Sequence, residues 1–175
     1  MLFYLLPLTF PSDEGATLYG YTDASWANHV DLRSHVGYFV CIGQYSAPVI
    51  SHSSKIKSCV ATSSMEAEYV ALCELTKLIV VCRRFLEELS FTQTGPTVVF
   101  EDNEAAIKLA NSPAIGNKSK HILLKYHYTK KAVEDKEIII QYIDTSLQRA
   151  DCLTKEQTKP SFAKSVTTLL NNNRV

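Results

Sequence analysis

The chain has 175 residues, 46% hydrophobic and 21% charged, the composition of one globular domain rather than of a disordered or fibrous protein. A formal net charge of +0 excludes whole-molecule attraction to a polyanion, so any contact with nucleic acid has to come from a local patch. Five cysteines without a C-x-x-C pair argue against a zinc site or a disulfide framework and for free thiols in a reducing compartment.

Met1-Leu2-Phe3-Tyr4-Leu5-Leu6-Pro7-Leu8-Thr9-Phe10 is apolar but too short to span a membrane, and Pro7 breaks it. The first Lys or Arg is Arg33, so the basic start of a signal peptide is missing. We read residues 1–15 as a flexible lead-in or the remnant of an upstream junction, 16–171 as one domain and 172–175 as a frayed tail.

Residues 17–24 have the aromatic and β-branched content of a strand, with Asp23 near its end. After a polar loop, 35–42 and 48–54 read as two more strands, and the short connections predict an antiparallel meander. Residues 55–59 read as a loop. A long helix is expected over 64–89. Stepping from Glu68 by three or four gives Leu72, Leu75, Ile79, Cys82, Leu86 and Leu89, an apolar stripe headed by an acid. Glu66 steps instead to Val70, Cys73, Lys77 and Arg84, a mixed face, and with Ser63 it forms the capping box Ser-x-x-Glu.

Beyond the break at Gly95-Pro96, residues 97–100 are a strand that runs into Glu101-Asp102-Asn103. A short helix over 103–110 and a longer one over 119–135 follow, then a strand at 137–143, a helix at 147–154 and a last helix at 160–170. The order predicts an α/β fold: a mixed five-stranded sheet, an antiparallel hairpin set plus parallel strands, with helices on both faces. Such a sheet gathers ligand sites at the carboxyl ends of its strands. Asp23 and Asp102 stand there, Glu68 faces inward from the long helix, and Asp151 lies on a late helix. Clustered carboxylates repel unless cations sit between them, and hard divalent ions are suited to such oxygens. Two such ions about 4 Å apart activate a water and stabilise the departing oxygen of a phosphodiester.

The blocks Gly20-Tyr21-Thr22-Asp23-Ala24-Ser25-Trp26-Ala27, Ser63-Ser64-Met65-Glu66-Ala67-Glu68-Tyr69-Val70-Ala71, Asp102-Asn103-Glu104-Ala105-Ala106-Ile107, Lys120-His121-Ile122 and Ala150-Asp151-Cys152-Leu153-Thr154-Lys155 together resemble the ribonuclease H domain of copia-type LTR retrotransposon polyproteins. The likeness runs from about residue 18 to 170 in the family's order. It implies an RNase H-like fold and a divalent-metal-dependent endonuclease that hydrolyses the RNA strand of RNA–DNA hybrids, with two Mg²⁺ or Mn²⁺ ions during catalysis. Carried over by position, Asp23, Glu68, Asp102 and Asp151 match the catalytic metal ligands. Both Glu66 and Glu68 fall in the motif, and helix periodicity assigns the role to Glu68.

Other positions carry lesser expectations. Ser25 and Ser64 stand beside the acids in sequence, placed to meet a 2′-hydroxyl. Asn103 is either a substrate contact or a helix cap. The basic stretch with Lys120, His121 and Lys125 is either a phosphate grip or a solvated face. His121 and His127 are equal candidates for proton transfer. Where the family carries Cys before Asp-Asn, this chain has Glu101, which adds negative charge beside the site. Leu123 stands where an acid is common, and Glu156-Gln157 replaces the usual Pro-Leu.

The resemblance also implies a reverse transcriptase domain in the parent polyprotein, so that residues 1–15 are the remnant of a polymerase junction. It implies no membrane role and an intracellular setting, cytoplasm (virus-like particle) or nucleus. The alternative is a catalytically inactive RNase H-like module, from a degenerate retroelement, that binds nucleic acid or assists a polymerase.

Overall fold

The computed structural model describes residues 16–27, 30–43, 49–57, 61–112 and 120–169, without the side chains of Lys120, His121, Ile122 and Thr168. The lead-in at 1–15 and the tail at 172–175 lie outside the described residues.

β1 (Leu18–Ser25) alternates between two environments. Leu18 and Gly20 face the larger core and Tyr21 faces the smaller one, as the period of two along a strand requires. β2 (His35–Ile42) pairs antiparallel with β1, and β3 (Val49–Ile56) with β2. β4 (Thr97–Glu101) lies parallel to β1, and β5 (Ile138–Tyr142) parallel to β4. The sheet order is β3-β2-β1-β4-β5. The parallel register runs from Tyr19↔Val98 to Tyr21↔Phe100. Two residues further on stand Asp23, still in β1, and Asp102, just past β4, so register alone brings two of the acids to the same end of the sheet.

α1 (Ser64–Glu88) crosses one face of the sheet and buries Leu72, Leu75 and Ile79 against β1 and β2. Val70 and Cys73, on the face expected to be mixed, are buried as well. For Cys73 the cause is α3 (Lys120–Glu134), whose Thr129 and Lys125 act on its thiol and whose Tyr126 stacks on Tyr69 with ring centroids 5.5 Å apart. α2 (Glu104–Asn111) fills the same layer. Leu89 departs from the expected stripe: the helix stops at Glu88, and Leu89 is its 52% exposed C-cap.

The opposite face is covered by Ala150, Leu153 and Leu169, packed with Tyr21, Phe39 and Cys41. Leu169 closes α4 (Lys159–Leu169). The expected helix at 147–154 is instead two 3₁₀ turns, Thr145–Leu147 and Arg149–Leu153. Gln148 interrupts them in extended geometry because its side chain is occupied. It donates to the Thr22 carbonyl of β1 at 2.9 Å and accepts from Ala150 N. The second correction is Lys55 and Ile56, expected in a loop but lying in β3, where they pair with Val36 and His35 of β2. The polar residues of this edge strand leave it poorly suited to pairing with another chain.

The second 3₁₀ turn lies directly on β2. A Cβ built on Gly37 would stand 2.6 Å from Leu153 Cβ and 2.8 Å from Thr154 Cγ2, whereas one on Gly20 would meet the side-chain ends of Ile79 and Leu75 at 2.9 and 3.1 Å. A glycine in a strand interior marks such a close approach. Gly37→Ala should therefore cost about 1–3 kcal/mol, the scale of overpacking, and more than Gly20→Ala, whose neighbours can rotate away. Urea unfolding of the two variants measures the difference; equal losses would contradict the packing described.

Candidate metal centre

Three carboxylates meet at the carboxyl ends of β1 and β4. One oxygen each from Asp23, Glu68 and Asp102 lies within 4.8 Å of the others. Asp23 is 2% exposed and Glu68 7%. Each is delivered by local structure. Asp23 stands two residues before the end of the central strand. Asp102 follows the last residue of β4. Glu68 sits on the first turns of α1, whose start is fixed in two ways. Ser63 Oγ accepts from Glu66 N at 3.2 Å, and Trp26, just past β1, donates from Nε1 to the Ala61 carbonyl at 2.9 Å.

Glu66 turns away from the acids. Its Oε2 accepts from Thr62 N at 2.9 Å and from the Thr62 hydroxyl, the arrangement of a capping box shifted by one residue. The two glutamates of the Glu-Ala-Glu motif are thus separated as helix periodicity predicts, one in a cap and one among the acids.

Asp151 stands beside the three rather than among them. Its side chain is 31% exposed and ion-paired with Lys155, and its charge reaches Asp23. Thr154 donates its hydroxyl to Asp23 Oδ2, which ties the 3₁₀ segment to the site. Sequence reasoning missed Thr154 and Lys155 as parts of the site, since 131 residues separate Thr154 from Asp23. It placed Glu101 beside the site but not inside the protein. Glu101 is fully buried, and its Oε1 accepts from Asn103 N at 3.0 Å. The signal was available, because Thr97, Val99 and Glu101 share one face of β4 and all three are buried.

The remaining expected contacts are distributed as follows. Ser25 is part-buried at the end of β1, and Ser64 is exposed at the start of α1. Asn103 caps α2, its Oδ1 accepting from Ala105 N at 3.0 Å and Ala106 N at 3.1 Å. Lys125 is part-buried on α3, near enough to act on the Cys73 thiol of α1. Lys120 and His121 begin α3, but their side chains lie outside the described residues; His127 is exposed.

Electrostatically the cluster is frustrated. Burial raises the Glu68 carboxyl far above its ordinary range, and the negative charges of Glu101, Asp23 and Asp102 push it further, against one bond from the Ala24 amide. Burial likewise raises Asp23, opposed by the Thr154 hydroxyl and Lys155. It raises Glu101 too. Glu68 Oε2 and Glu101 Oε2 are buried without a hydrogen-bond partner. Buried orphan oxygens and like charges in one place fit a divalent cation with oxygen ligands, which would satisfy both at once.

These shifts set the sign of the pH dependence. A carboxyl raised on folding keeps its proton where the unfolded chain has released it, so stability falls as pH rises above the unfolded value. Each retained proton contributes about 1.4 kcal/mol per pH unit. Glu74, Glu104 and Asp144 are shifted down from ordinary values of 4.5, 4.5 and 3.8, so their contributions change at lower pH. In chelator, urea unfolding should show stability declining from about pH 5 to 8, with a shallower decline in Glu68→Gln. A flat or rising wild-type profile would contradict the buried-acid assignment.

No family profile matches the chain. It is 38% identical over 146 residues, 83% of its length, to the retrovirus-related Pol polyprotein from transposon TNT 1-94 of Nicotiana tabacum. It is 33% identical over 147 residues, again 83% of its length, to that from transposon RE2 of Arabidopsis thaliana. The chain spans only 11% and 10% of these relatives. Among solved structures it is similar to LC11-RNase H1 in complex with RNA/DNA hybrid, at TM-score 0.58 and 16% identity, covering 83% of this chain and 99% of that one. The N-terminal RNase H domain of rv2228c from Mycobacterium tuberculosis gives TM-score 0.57 at 13% identity, covering 88% and 99%. The foamy viral protease-reverse transcriptase in complex with RNA/DNA hybrid gives 0.52 at 16%, covering 88% of this chain and 21% of that one. By sequence the chain belongs to the retrovirus-related Pol polyproteins of copia-type plant transposons, and its fold is that of the RNase H domains.

Proposed function

We propose that this domain is a divalent-metal-dependent endonuclease that hydrolyses the RNA strand of RNA–DNA hybrids. The observation that carries the reading is the meeting of Asp23, Glu68 and Asp102 within 4.8 Å on an RNase H fold. Hydrolysis adds water across a P–O3′ bond of the RNA and leaves a 3′-hydroxyl and a 5′-phosphate. Asp23, Glu68 and Asp102 would hold Mg²⁺ or Mn²⁺, two ions in the working enzyme, with Asp151 beside them as the fourth carboxylate. When bound, such a pair supplies an activated water and stabilisation of the leaving oxygen.

The chain's own groups do the rest. The Thr154 hydroxyl fixes the orientation of Asp23, and Lys155 balances Asp151. Ser25 and Ser64 offer hydroxyls to the sugar 2′-hydroxyl that distinguishes RNA from DNA. The Asn103 carbonyl oxygen is engaged in its cap, which leaves its NH₂ for the substrate. Lys120, His121 and Lys125 belong to the only strongly basic stretch and serve the phosphate backbone. We place a reverse transcriptase in the same polyprotein. Support comes from Pol relatives of which the matched region is only 11% and 10% and from the foamy viral protease-reverse transcriptase, which shares the fold.

Labelled RNA–DNA hybrid incubated with purified protein and Mg²⁺ tests the reading. Cleavage should occur, and Asp102→Asn or Glu68→Gln should slow it on the order of 100-fold or more, the scale of removing one source of transition-state charge stabilisation. Glu66→Ala should leave the rate near wild type while costing about 0.3–1.5 kcal/mol of stability as a lost cap. Hybrid binding without cleavage would instead make the domain a binding module. Undiminished cleavage by Asp102→Asn would overturn the site assignment.

A further inference from the structure

Glu101 is an expensive residue where it stands. It is fully buried, and Oε2 has no hydrogen-bond partner. An uncompensated buried carboxylate costs several kcal/mol. A small apolar side chain would fill this end of β4 without that penalty. Its face of the strand is fixed by its neighbours: Thr97 accepts from Arg83 of α1 at 3.0 Å, and Val99 belongs to the core beneath α1. Glu101 therefore lies under the helix that carries Glu68, and among charged groups it acts on Glu68 most strongly. The charges acting on Glu101 are those of Asp102 and Asp23.

One oxygen has a structural use. Oε1 accepts from Asn103 N and so clasps the turn between β4 and α2 on which Asp102 sits. A glutamine would serve that clasp as well. The second oxygen, buried and without a hydrogen-bond partner, is left without a structural use.

We infer that Glu101 is a positioning residue of the cation centre: Oε1 holds the Asp102 turn, and the carboxylate as a whole adds a fully buried negative charge behind Asp23, Glu68 and Asp102 that strengthens their hold on a divalent ion. The inference rests on the cation-binding reading above. Glu101 is not grouped with the three acids as a direct ligand, so it acts through them and through the field it adds. Residues behind metal ligands commonly set affinity in this way.

The test is calorimetric titration of Mn²⁺ into wild type, Glu101→Gln and Asp102→Asn, with melting in chelator and amide exchange at Asn103 measured alongside. Glu101→Gln keeps the clasp and removes the charge. It should melt at or above wild type in chelator, keep the Asn103 amide protected, and bind Mn²⁺ about 10-fold or more weakly, the range of changes behind metal ligands. A purely structural Glu101 would leave the affinity within about twofold of wild type, and that result overturns the inference while leaving the cation site standing. Wild type that binds no Mn²⁺ would instead defeat the cation reading, and this inference with it. Should Glu101→Gln unfold, Glu101→Cys, which also lacks the carboxylate, supports the inference by weakened binding and overturns it by unchanged binding.

Discussion

The fold holds together, at one end of its sheet, carboxylates that would otherwise move apart. Two unit charges at the spacing of these acids repel by about 3–4 kcal/mol at an effective dielectric near 20. A domain's whole stability is about 5–15 kcal/mol. Three ionised acids in one pocket therefore require protons or cations to share it. The structure prevents the alternative, in which the acids relax into solvent. The parallel register of β1 and β4 fixes Asp23 beside Asp102, the cap at Ser63 fixes the start of α1, and Thr154 holds Asp23 from the other face.

The two cores serve that constraint differently. The larger one, built from α1, α2 and α3 against the sheet, sets where Glu68 arrives. The smaller one brings the 3₁₀ segment down onto Gly37, which pairs with Asp23 across β1 and β2. Absence of a side chain at Gly37 lets Thr154 and Asp151 come close to the acids. The proposed chemistry belongs to this cluster carried on the fold rather than to the sheet itself. Glu101 departs from the family's usual Cys at the most buried point of the cluster, so under the proposed reading the departure concerns the hold on the cation rather than the supply of its ligands.

Local periodicity made much of this legible in the sequence. The three-and-four spacing behind Glu68 placed it on the buried face of α1, and the Ser-x-x-Glu pattern sent Glu66 to the cap. Strand ends were visible as Asp23 and Asp102 following β-branched and aromatic runs. The mixed sheet followed from hairpin-length connections and the later alternation of strands and helices. What escaped depends on contacts distant in sequence. Cys73 is buried because α3 covers it. The 147–154 segment is 3₁₀ because Gln148 reaches back to Thr22. Lys55 is in a strand because β2 pairs with it. Glu101 is a different kind of miss, since alternation along β4 points it inward and only its charge argued otherwise.

The most direct measurement is diffraction from a crystal grown or soaked with Mn²⁺, with anomalous scattering locating the metal. The account predicts an anomalous peak bounded by oxygens of Asp23, Glu68 and Asp102, with Glu66 still folded back on Thr62. A peak elsewhere, or none at a Mn²⁺ concentration that supports hybrid cleavage, would contradict it.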